Sequence, residues 1–100
     1  MPLTDTALEA LRILLVEDSP EDAELMTEQM LDAGLDARFE RVESGPELRQ
    51  ALASFAPDIV LSDLSMPGVS GDDALRIVRE AAPDVPFIFV SGPMGEENAV

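Results

Sequence analysis

The spacing of apolar residues divides the chain into elements. Ile13-Leu14-Leu15-Val16, Ile59-Val60-Leu61 and Phe87-Ile88-Phe89-Val90 are unbroken apolar runs of strand length, the pattern of strands covered on both faces. Residues 37–42 read differently. Ala37, Phe39 and Arg41 fall on one side and Arg38, Glu40 and Val42 on the other, which predicts an edge strand with one wet face. Between these runs the period lengthens to that of a helix. Ala23, Met26 and Met30 make one stripe. Leu48, Ala51, Leu52 and Phe55 make a second at i, i+3, i+4 and i+7, and Ala74, Ile77, Val78 and Ala81 a third.

The residues between the patterns mark starts and stops. Ser19-Pro20-Glu21-Asp22 and Ser44-Gly45-Pro46-Glu47 each place a hydroxyl N-cap before a first-turn proline, with acids at the positive end of the helix dipole. Ser70-Gly71-Asp72-Asp73 opens a third helix, and Glu96-Glu97 a further one. Gly34 is placed to end the first helix in the C′ role. Pro57 stops the second, and Pro83 and Pro86 bracket the exit from the third. Four strands beginning near residues 13, 37, 58 and 86, each followed by a helix, are βα units, and that alternation builds a parallel sheet with helices on both faces.

The strand order follows in part from the same patterns. The first and third strands have apolar bodies and acidic ends, so they are expected to be central neighbours, with the alternating second strand outside the first: order 2-1-3-4. The fourth reads as interior, yet no fifth strand follows to cover its far side. Its edge is therefore expected to be exposed and to pair two copies of the chain as a dimer. Residues 1–11 carry Pro, Thr and Asp before a weak apolar run and read as a flexible leader, which leaves residues 12–100 as one domain.

Charge and composition narrow the chemistry. Six arginines and no lysine stand against 21 acids, a net charge of −15. That charge repels phosphate backbones and anionic lipid, so neither nucleic acid nor a membrane surface is an expected partner. Neither a signal peptide nor an apolar run of membrane-spanning length is present, and the default compartment is the cytoplasm. With no Cys and no His, disulfides and soft metal sites are excluded, and any metal must be hard and oxygen-bound.

The candidate site lies at the strand ends. Glu17 and Asp18 follow the first strand and Asp63 follows the third, at the edge of an open α/β sheet that lines the ligand crevice. In Met66-Pro67-Gly68, Pro67 sets φ and Gly68 accepts a positive φ, the chemistry of a type II turn, so Asp63 is presented by a stiff loop. If the two strands are adjacent, three carboxylates converge. They must then hold protons more tightly or recruit a cation, for which Mg²⁺ is the natural choice. The plainer alternatives are that Asp63 caps its own turn, and that Glu17 and Asp18 serve the N-terminus of the next helix, a role Glu21 and Asp22 already fill.

In order and spacing, LLVEDS (residues 14–19), LSDLSMPGVSG (residues 61–71) and VSG (residues 90–92) resemble the receiver domain of the bacterial two-component response regulator family. The resemblance runs from about residue 12 to the end. It implies a flavodoxin-like (CheY-like) doubly wound sheet whose fifth strand and last helix are absent from this chain, making residues 12–100 a receiver domain incomplete at its C-terminus. It implies that Asp63 is the phosphoacceptor, taking a phosphoryl group from a sensor histidine kinase or phosphotransfer protein. Glu17 and Asp18 would be the Mg²⁺-binding acidic pair, with the Ser65 backbone carbonyl as a further ligand, and Ser91 the switch hydroxyl. The domain would be an acceptor rather than an enzyme, with at most autophosphatase activity. The family's fifth-strand lysine and aromatic switch residue have no counterpart here.

Two other readings remain open on the residues. A degenerate receiver would use the same fold only to bind proteins. A Mg²⁺-dependent phosphotransferase or phosphatase of another α/β family, TOPRIM-like or HAD-like, wants a second Asp two residues after the first, where this chain has Ser65.

Overall fold

In the computed structural model, residues 10–63 and 71–90 are described. Their elements alternate strictly: β1 (Leu11–Val16), α1 (Pro20–Asp32), β2 (Ala37–Val42), α2 (Gly45–Ser54), β3 (Ile59–Asp63), α3 (Gly71–Ala81) and β4 (Phe87–Val90). The strands form one parallel sheet in the order β2-β1-β3-β4, as the apolar patterns predict. The N-terminal leader up to residue 9, the Met66-Pro67-Gly68 turn, Ser70 and the helix start at Glu96-Glu97 lie outside the described residues.

The central strands are apolar on both sides because the sheet is packed on both sides. Leu14 and Val16 of β1 and Val60 of β3 face Leu48, Ala51 and Leu52 of α2 and Ala74, Ile77 and Val78 of α3. Ile13, Leu15 and Leu61 face Ala23 and Met26 of α1. Leu14, Val16, Leu48, Val60 and Val78 are fully buried, and each such aliphatic side chain stabilises the fold by roughly 1.5–3 kcal/mol relative to exposure. At the edge, β2 alternates as its sequence does until Val42, which turns into the core with α2.

Helix boundaries follow their caps. Ser19 Oγ accepts from the Asp22 N–H at 3.2 Å and Ser44 Oγ from the Glu47 N–H at 3.3 Å. At the end of α1, Gly34 takes φ +96°. Its N–H donates to Leu31 O while that of Leu35 donates to Met30 O, the paired bonds of a Schellman motif.

The structure corrects three expectations. β1 starts at Leu11, because the Leu11 N–H donates to Asp36 O and Leu11 pairs with Ala37; that residue is strand rather than leader. Phe55 is the C-cap of α2 and packs on the core from just beyond the helix. Ala81 is exposed, because α3 ends there and the Ala82 N–H turns back to Val78 O, bringing Ala82 onto the core instead. β4 is the outer strand among the described residues, as the order 2-1-3-4 expects, with Ile88 46% exposed.

Candidate functional site

Strand register makes the site. β1 and β3 are neighbours with Val16 opposite Ser62, so the next residues, Glu17 and Asp63, are level at the C-terminal end of the sheet. Asp18 follows at once. Carboxylate oxygens of Glu17, Asp18 and Asp63 lie within 4.8 Å of one another. The expected convergence of three acids from two strands is present.

The three acids differ in their surroundings. Asp18 and Asp63 are partly buried, while Glu17 is 1% exposed. Its Oε2 accepts from the Ser19 N–H at 3.1 Å. No donor reaches its buried Oε1. The two roles weighed for this residue therefore fall to two different oxygens: one serves the N-terminus of α1 and the other is left for the site. A buried carboxylate oxygen that no donor reaches is costly, and the Glu17 carboxyl is pushed up to about 7. Burial is the main cause, and the Ser19 N–H opposes it. Asp63 adds to the rise through a hydrogen bond that requires the Glu17 proton and through its negative charge, and Asp22 adds a smaller repulsion.

This donor set fits a hard divalent cation. All three groups offer oxygen, no His or Cys is present in the chain, and the donor-free Oε1 is the atom a cation would satisfy. Mg²⁺ suits such a site, since it binds through few carboxylates and keeps several waters. A surface groove between the end of β2 and α2 is lined by Glu40, Arg41, Glu47 and Ser54 among others, and by none of the three acids.

One residue at this end of the sheet is not singled out by the sequence patterns. Arg41, at the end of β2, donates from Nη1 to the Glu17 backbone carbonyl at 3.1 Å, and the Glu17 N–H donates to Val42 O at 3.0 Å. The edge strand thus holds the turn that carries Glu17 and Asp18. The alternation of β2 places Arg41 on the α1 face, and its position at the strand end is the signal for this contact. Ser65 and Ser91 lie outside the described residues. Val90, which precedes Ser91, pairs with Asp63 across β3 and β4.

The response regulator receiver domain family matches residues 13–100. The DNA-binding response regulator MtrA of Mycolicibacterium smegmatis is 35% identical over 80 residues, 80% of this chain and 34% of that protein. The luminescence regulatory protein LuxO of Vibrio campbellii is 33% identical over 86 residues, 86% of this chain and 18% of that protein. The chain thus spans from about a fifth to a third of these relatives. Among solved structures, the receiver domain of sensor histidine kinase PA1611 from Pseudomonas aeruginosa, with a magnesium ion coordinated in its active site cleft, superposes with a TM-score of 0.67. It is 28% identical, over 81% of this chain and 66% of that one. The beryllofluoride-activated NtrC receiver domain gives 0.65 at 30% identity, over 83% and 65%.

Proposed function

This chain belongs to the response regulator receiver domain family and is a receiver domain of two-component signalling, and from that premise we propose that Asp63 is its phosphoacceptor. The observation that carries the reading is the meeting of Glu17, Asp18 and Asp63 at adjacent strand ends, with a buried oxygen that has no donor. A carboxylate oxygen of Asp63 forms a P–O bond as the P–N bond of a phosphohistidine on a sensor kinase or phosphotransfer protein breaks. The electron pair of the broken bond stays on the imidazole, which takes up a proton from the medium.

Glu17, Asp18 and Asp63, with the Ser65 backbone carbonyl, are the residues that would hold Mg²⁺. When bound, the ion supplies positive charge to offset that of the phosphoryl oxygens. Glu17 and Asp18 orient the acidic end of β1 beside the nucleophile, and α1 is anchored to the same turn by the Ser19 N–H on Glu17. Ser91 is the hydroxyl that would donate a hydrogen bond to the new phosphoryl group and pass the change on. The domain acts as an acceptor, with slow loss of its own phosphoryl group as its one hydrolytic activity, in the cytoplasm where kinase domains and their donors meet.

Incubation with acetyl phosphate and Mg²⁺ tests the reading. Intact mass should rise by one phosphoryl group, the adduct should be lost in base, and Asp63→Asn should show no gain. Asp18→Asn and Asp63→Asn should each weaken Mg²⁺ binding followed by backbone amide shifts. Equal modification of Asp63→Asn would move the chemistry to another residue. A chain that binds Mg²⁺ but never gains mass would instead be a protein-binding receiver.

A further inference from the structure

We propose that Phe89 and Gly71 are a positioning pair for Asp63, the ring of Phe89 setting where α3 begins relative to the end of β3. This rests on the phosphoacceptor reading and names residues outside the acidic cluster that the chemistry depends on. A Cβ built on Gly71 would lie 2.6 Å from Phe89 Cε1 and 3.4 Å from its Cδ1 and Cζ. Gly71 is buried, and its φ is not in the left-handed region. With a side chain at this position either the Phe89 ring or the start of α3 would have to shift, because the ring edge occupies the volume a Cβ would take.

The same aromatic residue acts at both ends of the connection that leaves Asp63. Its main chain pairs with Ser62, the residue before Asp63, and its neighbour Val90 pairs with Asp63 itself. Its ring bears on Gly71, 71 − 63 = 8 residues further along the chain. The ring is itself set by Phe87, whose centroid lies 5.0 Å away at an interplanar angle of 76°, an edge-to-face arrangement. Phe87 packs in turn on the α2–α3 side of the core. A contiguous path of packed atoms therefore runs from the core through Phe87 and Phe89 to the first residue of α3, with β4 registering it against the nucleophile. Displacing a reacting group by about 1 Å can slow a reaction by about 100-fold, so a methyl forced between Gly71 and the ring should register at Asp63.

The test uses the full chain, acetyl phosphate and saturating Mg²⁺, with urea unfolding of each variant as a control. Gly71→Ala should slow phosphorylation of Asp63 by about tenfold or more at saturating Mg²⁺. Gly71→Ala combined with Phe89→Leu, which removes the ring edge, should return most of the rate. Amide shifts of Asp63 and Val90 in the metal-free protein should move in the single variant and return in the double. If Gly71→Ala does not fold, Phe89→Ala decides: it should shift the Asp63 amide and slow modification several-fold. Wild-type rate and shifts in Gly71→Ala, no recovery in the double variant, or a wild-type Asp63 amide in Phe89→Ala would overturn the pair. Absence of modification in the unmutated chain would count against the phosphoacceptor reading alone, since the amide shifts still decide the packing.

Discussion

Arg41 donates from Nη1 to the backbone carbonyl of Glu17 at 3.1 Å, joining the edge strand to the turn that carries the acidic pair. The same nitrogen lies 3.5 Å from Glu43 Oε1, an exposed ion pair of small worth. The carbonyl contact is the one that matters. Arg41→Ala should lower stability by about 1 kcal/mol, the net value of one such hydrogen bond, and weaken Mg²⁺ binding a few-fold by loosening Glu17 and Asp18. Urea unfolding and a Mg²⁺ titration check both; an unaltered Mg²⁺ affinity would mean that the Val42 ladder bond holds the turn unaided.

Glu17 makes the metal-free domain sensitive to pH. Its pKa rises from 4.5 to about 7 on folding, so the folded state binds the proton more tightly than the unfolded chain. The contribution to stability is full below pH 4.5, declines as pH rises toward 7, and is gone above it. The span amounts to about 3 kcal/mol at most. Glu17→Gln, which cannot ionise, should flatten this fall between pH 5 and 8 when chelator keeps the site metal-free. Parallel stability curves for the wild type and the Gln variant would show that the Glu17 proton is not held by folding.

How much of this was legible in the sequence depends on whether a feature is periodic or steric. The unbroken runs of β1 and β3 and the alternation of β2 fix the strand order, since burial on both faces leaves no polar positions. Two acidic strand ends then bring Glu17 and Asp63 level. The outward turn of Ala81 was not legible, because a helical stripe does not announce which residue is the last to face the core. Nor was the Phe89–Gly71 contact, since Ser70-Gly71-Asp72-Asp73 reads as a helix start and no apolar period says that a ring lies against its glycine. The division of Glu17 between a helix cap and the site was hidden as well, because a sequence pattern assigns a role to a residue and here the roles belong to separate oxygens.

Ala56 marks a fourth feature that pattern does not carry. It sits at φ +51°, a conformation that costs a residue with a side chain roughly 1–2 kcal/mol. Arg12 Nε donates to its carbonyl at 2.8 Å. Asp58 secures the same corner, accepting from the Arg12 N–H at 2.8 Å and donating its own N–H to Arg12 O at 2.7 Å. Ala56→Gly should therefore raise stability, by less than the strain relieved because glycine also gains freedom in the unfolded chain. A gain of about 0.5 kcal/mol in urea unfolding is expected. A loss would show that the corner tolerates Ala56 without strain.

The outer edge of β4 gives the last prediction. Among the described residues no strand lies beyond it, and Ile88 and Phe89 are 46% and 37% exposed. An unpaired strand edge carrying apolar side chains is a template for another strand. A second copy that fills it, as the strand pattern leads one to expect, would pair β4 with β4 about a twofold axis, an isologous contact in which each edge meets its own equivalent in antiparallel sense. The net charge of −15 opposes the approach of two such molecules, and salt screens that repulsion over a Debye length of about 10 Å at 0.1 M. Association should accordingly tighten as salt is raised from low to moderate concentration, the reverse of a contact held by opposite charges. Ile88→Lys, which places a charge on the exposed position without touching the acidic cluster, should abolish it while leaving Mg²⁺ binding intact. Sedimentation of wild type and Ile88→Lys at two salt concentrations separates the outcomes: a wild-type monomer at both would show that the edge is covered or too short to pair, and a dimer that survives Ile88→Lys would place the contact elsewhere.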